Sequence, residues 1–441
     1  MKRKLLVAAL AAAAPFAAHA TDGYFAHGYG MQAKGMAGAS VAVAENAFGG
    51  ANNPATMAFA GDRFEIGLDL FSPWRKAERT GSPPGVGLDA TSDSDSNYFA
   101  IPEIAYNRMV SPNMSLGITV YGNGGMNTDY PGGEIPGASA CQNFNPGKPS
   151  YNLLCGTGKL GVDLSQLIVA PTIAWRFNSD HAIGIAPLFA YQRFKLEGLQ
   201  AFDNPNFSTS PGNVTNNGYD NSTGYGARVG YYGRLSPQVA IGAAYATKMR
   251  MGEFDKYKGI FAEQGGFDIP SHWSVGVALE PSPGWMFALD YERINYSDAK
   301  SVGNSSSLLL QCAGGARSAC LGAENGAGFG WRDINVVKLG VQYKVDPTLT
   351  LRAGYNLSQN PIREQEVTFN ILAPGVVRNH VTLGGTWNTD RESAVTAAAM
   401  YAFSNDVRGA SLFNSFAPGL NLQEKIQMYE WSIGVQYSRH F

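Results

Sequence analysis

YEWSIGVQYSRHF, the last stretch of the chain (residues 429–441), alternates apolar and polar side chains except at Arg439. A period of two is the pattern of a β-strand that has one apolar face and one polar face. The same division recurs in residues 273–279, 285–291 and 349–358. These segments predict an all-β protein built from antiparallel strands, each with one face toward an apolar environment.

Alternation alone also fits a soluble β-sandwich, so the lengths of the links between strands are needed to decide. The short links are residues 110–113, 178–180, 236–238, 281–283, 346–347 and 389–392. The long links are residues 75–96, 126–162, 198–222, 251–267, 297–332, 359–377 and 406–427. Short and long links alternate strictly, which is typical of outer-membrane barrels. The count predicts a 14-stranded antiparallel transmembrane β-barrel over residues 61–441, with both ends in the periplasm.

The start of the chain has the parts of a secretory signal peptide. A basic start is followed by an apolar run over residues 5–14 and by the small-residue site Ala18-His19-Ala20. No later stretch has the roughly 18 apolar residues that a spanning helix needs. A chain that enters a membrane with strands must close them into a barrel, because open edges in lipid leave backbone groups unpaired. We therefore expect residues 1–20 to be removed and the protein to lie in the outer membrane of a Gram-negative cell.

Residues 21–60 suit neither a long strand nor a regular amphipathic helix, since they are rich in alanine and glycine. Fourteen strands enclose more space than their own side chains fill. We predict that this stretch is a plug, or hatch, inside the barrel.

Composition excludes several other classes of protein. The 33 basic and 35 acidic residues nearly balance, which argues against nucleic-acid binding. The sequence lacks the motifs of serine hydrolases, zinc proteases and phosphate-binding loops, so we expect no enzyme activity, no cofactor and no metal. The cysteines form two local pairs, Cys141 with Cys155 and Cys312 with Cys320, in loop-like stretches. In an exported protein such pairs favour disulfides over a zinc site.

Two groups of residues are candidates for substrate handling. Gly122, Asn123, Gly124 and Gly125 follow the third strand and either end it in a flexible loop or kink it and open the wall. Arg193 and Lys195 on the fifth strand are expected to face the lumen, and Arg332 beside Trp331 precedes the tenth strand. Such cations either pair with wall acids such as Asp290, Glu292 and Glu430, or hold a substrate carboxylate.

Together these features resemble the FadL/TodX family of outer-membrane transport proteins. The resemblance rests on the signal peptide, Asn53-Pro54-Ala55 before the first strand, the strand count, the break at residues 122–128 and the final Phe441. It covers essentially the whole mature chain. It implies passive uptake of hydrophobic molecules, which are caught among the external loops, pass to a pocket beneath them and leave sideways beside the kinked third strand. The cysteine pairs depart from the best-known members.

The resemblance also suggests roles for single residues. Arg332 falls where members that carry fatty acids have a base on the carboxylate, and Arg193 or Lys195 falls where a second base is expected. Members that carry aromatic hydrocarbons have a neutral residue at the place of Arg332, so long-chain fatty acids are favoured over neutral aromatics or alkanes. Tyr24 and Phe25 are expected to line the pocket, and Asn53-Pro54-Ala55 to anchor the plug. The expected partners are the substrate, outer-membrane lipid, lipopolysaccharide and the barrel-assembly machinery, with the protein acting as a monomer.

Overall fold

Fourteen long antiparallel strands form the wall of the molecule, as predicted. The computed structural model describes residues 22–417 and 419–441, so the expected signal peptide over residues 1–20 lies outside it. The strands are β1 Arg63–Thr80, β2 Phe99–Ser111, β3 Met114–Asn127, β4 Gly161–Arg176, β5 His181–Glu197, β6 Asp220–Ser236, β7 Val239–Ala246, β8 His272–Ser282, β9 Trp285–Ile294, β10 Ile334–Lys344, β11 Leu349–Ser358, β12 Asn379–Asn388, β13 Ser393–Ala410 and β14 Gln423–His440.

Each strand pairs with its neighbours in sequence, and the last strand closes the ring against the first. The β1–β14 ladder runs without a register shift from Arg63 opposite His440 to Thr80 opposite Gln423. Two short strands, Ala90–Asp93 and Arg250–Met251, pair antiparallel with β1 and β6, and Ile135–Pro136 pairs with Ser150–Tyr151. The result is a closed barrel in which every long strand has two partners.

The two faces of the wall differ as the alternation predicts. On β14, Ile433 and Val435 are 57% and 53% exposed on the outside, whereas Glu430 and Gln436 are buried inside. Aromatic pairs mark both ends of the apolar band: Trp74 stacks on Tyr429 at one end, and Tyr106 stacks on Phe441 at the other. An apolar band between aromatic girdles is what an outer-membrane barrel presents to lipid.

Helices are short and lie in the N-terminal segment and in the external loops. The α-helices are α1 Met31–Gly35, α2 Ala262–Gly265, α3 Lys300–Gly303 and α4 Leu308–Ala313. The 3₁₀ helices are Phe48–Gly50, Pro54–Phe59, Ala140–Asn143, Gln200–Phe202, Asp255–Tyr257, Tyr296–Asp298, Arg317–Ala319, Glu364–Glu366, Phe369–Ile371 and Leu412–Ser415. In the described residues, none of the helices has both the length and the apolar character needed to cross a membrane.

Residues 22–60, here called the N-terminal segment, are mostly buried against the inner face of the wall. The segment is irregular, so many of its backbone amides lack partners of their own. Inward side chains of the wall accept hydrogen bonds from these amides. Asp290 accepts hydrogen bonds from the amides of Ser40 and Val41 at 2.7 and 2.9 Å, and Glu65 accepts one from the amide of Ala47 at 2.8 Å. Buried backbone groups must be paired. The polar inner face of the barrel therefore serves to hold this segment.

Asn53 explains why Asn53-Pro54-Ala55 stands before the first strand. Its side-chain oxygen accepts from the amide of Ala55 at 3.1 Å and caps the 3₁₀ helix that begins at Pro54. Its amide nitrogen donates to the carbonyls of Val41 and Tyr231, both at 2.8 Å. One buried side chain thus joins two parts of the N-terminal segment to β6. The space is tight, since a Cβ on Gly230 would lie 2.0 Å from the Asn53 oxygen.

Asn53→Ala is expected to weaken the docking of the N-terminal segment by about 2–3 kcal/mol. The estimate combines the loss of a cap, about 1 kcal/mol, with two buried carbonyls that each lose a donor. Hydrogen exchange of the amides in residues 41–57 measures the effect. Asn217→Ala is the matched control, because Asn217 also donates to two carbonyls but lies on the exposed surface. Equal acceleration in both variants would contradict the anchoring role.

The external loops carry two disulfides, Cys141–Cys155 and Cys312–Cys320. Above the lumen these loops meet through aromatic side chains, for example Phe202 with Phe369 and Phe144 with Phe413. Arg79 at the top of β1 donates to Glu424 of β14 at 2.8 and 2.5 Å, with both side chains fully buried. The loops therefore form a packed cap over the barrel.

Candidate substrate pocket and wall opening

The wall has a break in its hydrogen bonding between β2 and β3. The ladder between these strands ends where Ile104 faces Val120, although β2 continues back to Phe99 and β3 continues on to Asn127. On its other side β3 stays paired with β4, with a register shift between Gly122 and Gly124. Glycines in a strand permit such a bulge and weaken pairing. Of the two interpretations of this stretch, the structure has the kinked strand, and the upper parts of β2 and β3 are left unjoined.

The N-terminal segment covers this break from the inside. Phe25 lies opposite Gly124 in an isolated bridge. The amide of Ala26 donates to the carbonyl of Asn123, and the amide of Gly125 donates to the carbonyl of Tyr24, both at 3.2 Å. Gly124 has to be glycine here, because a Cβ would lie 1.6 Å from the Tyr24 carbonyl oxygen. The predicted gate residues and the predicted pocket residues Tyr24 and Phe25 thus meet at one place.

Several aromatic side chains surround Tyr24, which is fully buried. Its ring centroid lies 5.3 Å from that of Tyr296 and 5.8 Å from that of Trp331. Tyr296 also accepts from the amide of Tyr24 at 3.1 Å and donates to the carbonyl of Asp22. Next to Tyr24 is a cavity of about 20 Å³, lined in part by Phe71, Arg75, Met126, Trp331 and Met428. That volume is about enough for one water, so the segment fills most of the space.

The start of the segment lies in a charged network. Asp22 accepts from Asn356 at 3.2 Å and lies 3.9 Å from Lys338, which pairs with Glu292 at 2.6 Å. Burial raises the pKa of Asp22 to about 6, and the attraction of Lys338 opposes this rise. Arg228 donates to the carbonyl of Gly50 at 2.8 Å. These inward cations serve to hold the segment and its acids, as the ion-pair interpretation of wall cations expects.

The prediction that Arg193 and Lys195 face the lumen is wrong. Along β5 the buried, inward residues include Leu188 and Phe194, and the two cations lie on the outer side. Arg193 packs on the ring of Tyr219 at 3.5 Å, and Lys195 pairs with Glu197 at 2.9 Å. The physical reason is the apolar cap. Where external loops fill the upper lumen, the apolar side of a strand turns inward, which reverses the rule that holds lower in the wall.

Trp331 and Arg332 do not share one site, contrary to the expectation that the tryptophan supplies apolar surface beside the arginine. Trp331 is 1% exposed and packs against Tyr24. Arg332 is exposed, donates to the carbonyl of Asn360 at 3.0 Å and lines an open cleft of about 720 Å³. Three more arginines line that cleft: Arg363, Arg378 and Arg408.

Arg75 is a pocket residue that the sequence reasoning missed. The sequence predicts that a link begins at residue 75, but β1 continues to Thr80 with Arg75, Ala77 and Arg79 facing inward. A period of two over residues 75–79, with Lys76 and Glu78 on the other face, indicates that the strand continues. This indication is weak in the sequence, because a charged stretch next to a proline resembles a loop.

Comparison with known proteins identifies the class. The sequence model of the family "Outer membrane protein transport protein (OMPP1/FadL/TodX)" matches residues 150–441. The chain belongs to this family, as the resemblance predicted, and is an outer-membrane transporter of hydrophobic compounds. None of the curated proteins compared with it matches.

Solved structures of transporters share the fold. The toluene transporter TodX of P. putida has a TM-score of 0.63 at 18% identity, covering 94% of this chain and 99% of its own. A FadL homologue of Pseudomonas aeruginosa has a TM-score of 0.67 at 14% identity, covering 95% and 100%. The toluene transporter TbuX of Ralstonia pickettii has a TM-score of 0.61 at 15% identity, covering 94% and 99%. At these low sequence identities, the similarity shows that the proteins share a fold.

Proposed function

We propose that the protein carries out passive uptake of long-chain fatty acids or similar amphiphiles and releases them sideways into the membrane between β2 and β3. The observation that carries this proposal is the break in the wall, where the backbone of the N-terminal segment takes the place of a strand-to-strand ladder. A wall that is closed by a displaceable segment is a gate. The N-terminal segment is, in this proposal, the plug.

Capture begins at the apolar cap. Phe144 and Phe416 are half-buried at its surface and meet each other with ring centroids 6.1 Å apart. Each methylene that leaves water contributes about 0.8 kcal/mol, so a long alkyl chain gains several kcal/mol on entering such a surface. The cap thus draws a lipophile past the polar outer face of the membrane.

Passage continues through the pocket. The cavity beside Tyr24 is too small for an alkyl chain, so Tyr24 and its neighbours withdraw as the substrate enters. Withdrawal breaks the two hydrogen bonds between the segment and β3, and the gap opens toward lipid. Entry into lipid again buries apolar surface, so the route is downhill and needs no energy source.

A second substrate class has an observation in its favour. The rings of Tyr24, Tyr296 and Trp331 make an aromatic lining, which also suits neutral aromatic hydrocarbons. TodX and TbuX are toluene transporters. We favour an acid because the cavity beside Tyr24 and Trp331 is also lined by the cation Arg75.

Mass spectrometry of lipophiles extracted from gently purified protein tests the substrate class. We expect fatty acids to be enriched at least tenfold over a plugless barrel purified in the same detergent. Uptake of radiolabelled oleate by cells that lack their own transporter should depend on the protein. Enrichment of hydrocarbons without acids would favour the second class, and uptake equal to that of empty cells would contradict transport altogether.

A further inference from the structure

Arg75 is a buried cation with unused hydrogen-bond donors. Its side chain is 3% exposed on the inner face of β1. One terminal nitrogen donates to the hydroxyl of Ser94 at 3.0 Å and to the carbonyl of Ser96. In the part of the chain that the structure describes, its Nε and its other terminal nitrogen have no hydrogen-bond partner, and no carboxylate pairs with it. The Tyr130 hydroxyl acts on it most strongly, and Glu430 acts on it only from beyond ion-pair distance.

Three other buried cations have acids as partners. Arg79, four residues further along the same face, pairs with Glu424 at 2.5 Å. Lys34 pairs with Asp69 at 2.8 Å, and Lys338 pairs with Glu292 at 2.6 Å. A buried charge without a partner is costly. An anion supplied from outside would remove that cost at Arg75.

The surroundings of Arg75 indicate which anion fits. The cavity that it lines is otherwise walled by Tyr24, Phe71, Met126, Trp331 and Met428. The Tyr130 hydroxyl, which acts on Arg75, is a second buried donor without a partner among the described residues. A cationic donor on the wall of a largely apolar cavity matches a molecule with a single anionic head and an apolar body. Such donors bind a carboxylate in the short, charge-assisted geometry that arginine favours.

We propose that Arg75 binds the carboxylate of the transported amphiphile and thereby selects acids over neutral hydrocarbons. This inference rests on the proposed function. It assigns the head-group contact to the inside of the pocket and not to Arg332 on the exposed cleft. Arg75 follows Trp74, whose ring stacks on Tyr429 in the aromatic girdle. The head group is therefore held at the depth of the membrane interface, where a carboxylate also rests in lipid.

The size of the cavity couples head binding to the gate. A cavity of about 20 Å³ holds no more than about one water, and Gly23 and Tyr24 form one side of it. An amphiphile whose head reaches Arg75 must therefore displace these two residues, and Tyr24 is held to β3 through its carbonyl. A ligand anchored at Arg75 thus acts on the same residues that cover the wall opening.

Binding of oleate, methyl oleate and oleyl alcohol to the full-length protein in detergent tests the proposal. Wild type should bind oleate at least tenfold more tightly than either neutral ligand. Arg75→Gln should weaken oleate binding by about 10- to 100-fold, which corresponds to one hydrogen-bonded charge, and change methyl oleate binding less than threefold. Arg75→Lys should keep part of the preference, and Arg332→Gln should leave it unchanged.

Several outcomes would overturn the assignment. If Arg75→Gln lowers the affinity for oleate and for methyl oleate equally, Arg75 only balances the charge of Glu430 or supports the pocket. If only Arg332→Gln loses the preference for oleate over the neutral ligands, the carboxylate site lies in the external cleft that Arg332 lines. The wild-type comparison stands even if Arg75→Gln does not fold, because an absent preference for oleate refutes the inference. Failure of the proposed function differs from all of these, since wild type would then bind neither acid nor ester.

Discussion

Glu424→Ala is expected to destabilise the external cap by about 3–5 kcal/mol, the usual cost of leaving one partner of a buried ion pair without the other. Glu424 accepts two hydrogen bonds from Arg79, one from Ser411 at 2.9 Å and one from Thr368. These partners come from β1 and from two different external loops. Their loss should free the loops from one another while the wall below stays paired.

Limited proteolysis of the folded barrel measures this effect, with cleavage expected in residues 359–377 and 411–422. Asp129→Ala is the matched control. Asp129 also pairs with a cation, Lys159 at 2.7 Å, but that pair is exposed. Exposed pairs contribute about 0–1 kcal/mol, so the control should be cleaved like wild type. Resistance of Glu424→Ala to cleavage would show that aromatic packing alone holds the cap.

Gly124→Val is expected to release the N-terminal segment from β3. The new Cβ would overlap the Tyr24 carbonyl oxygen, and the two hydrogen bonds beside it would break. Each is worth about 1 kcal/mol, so exchange of the amides of Ala26 and Gly125 should accelerate by at least tenfold. Substrate should then be retained less tightly in the pocket, and its uptake should be at least as fast as in wild type.

Gly385→Val supplies the comparison for this result. Gly385 also lies in a wall strand, but a Cβ there would approach no atom closer than 3.6 Å. Exchange and uptake should both match wild type. Unchanged exchange in Gly124→Val would contradict the role of the segment as the cover of the gap, and faster exchange with abolished uptake would contradict the lateral route.

The wall was predictable because its signals are local. Period two and link length depend on neighbouring residues and on a lipid environment that is the same around the barrel. Residues 429–441 carry the first of these signals, the period of two. The pocket depends instead on contacts between distant parts of the chain, such as Tyr24 with Tyr296 and Trp331. No local pattern contains that information.

The errors have a common physical origin. The rule that polar faces point to the lumen predicts Arg193 and Lys195 inward, and the apolar cap reverses that rule at the top of the wall. The sequence places Arg75 in a loop for a related reason, since charged residues continue β1 above the lipid band. In both cases the surroundings of a strand change along the barrel axis, from the lipid band to the external cap. A rule that holds in the lipid band therefore fails in the upper part of the strand.

The two disulfides have a consequence for the order of assembly. Each joins cysteines only 14 or 8 residues apart within a single external loop. Neither crosses a wall strand, so oxidation restricts no choice of strand partner and no register. The thiols can close in the periplasm before the strands pair, and the finished loops add no topological obstacle when β14 joins β1. Oxidation of the loops and closure of the ring are thus separable events.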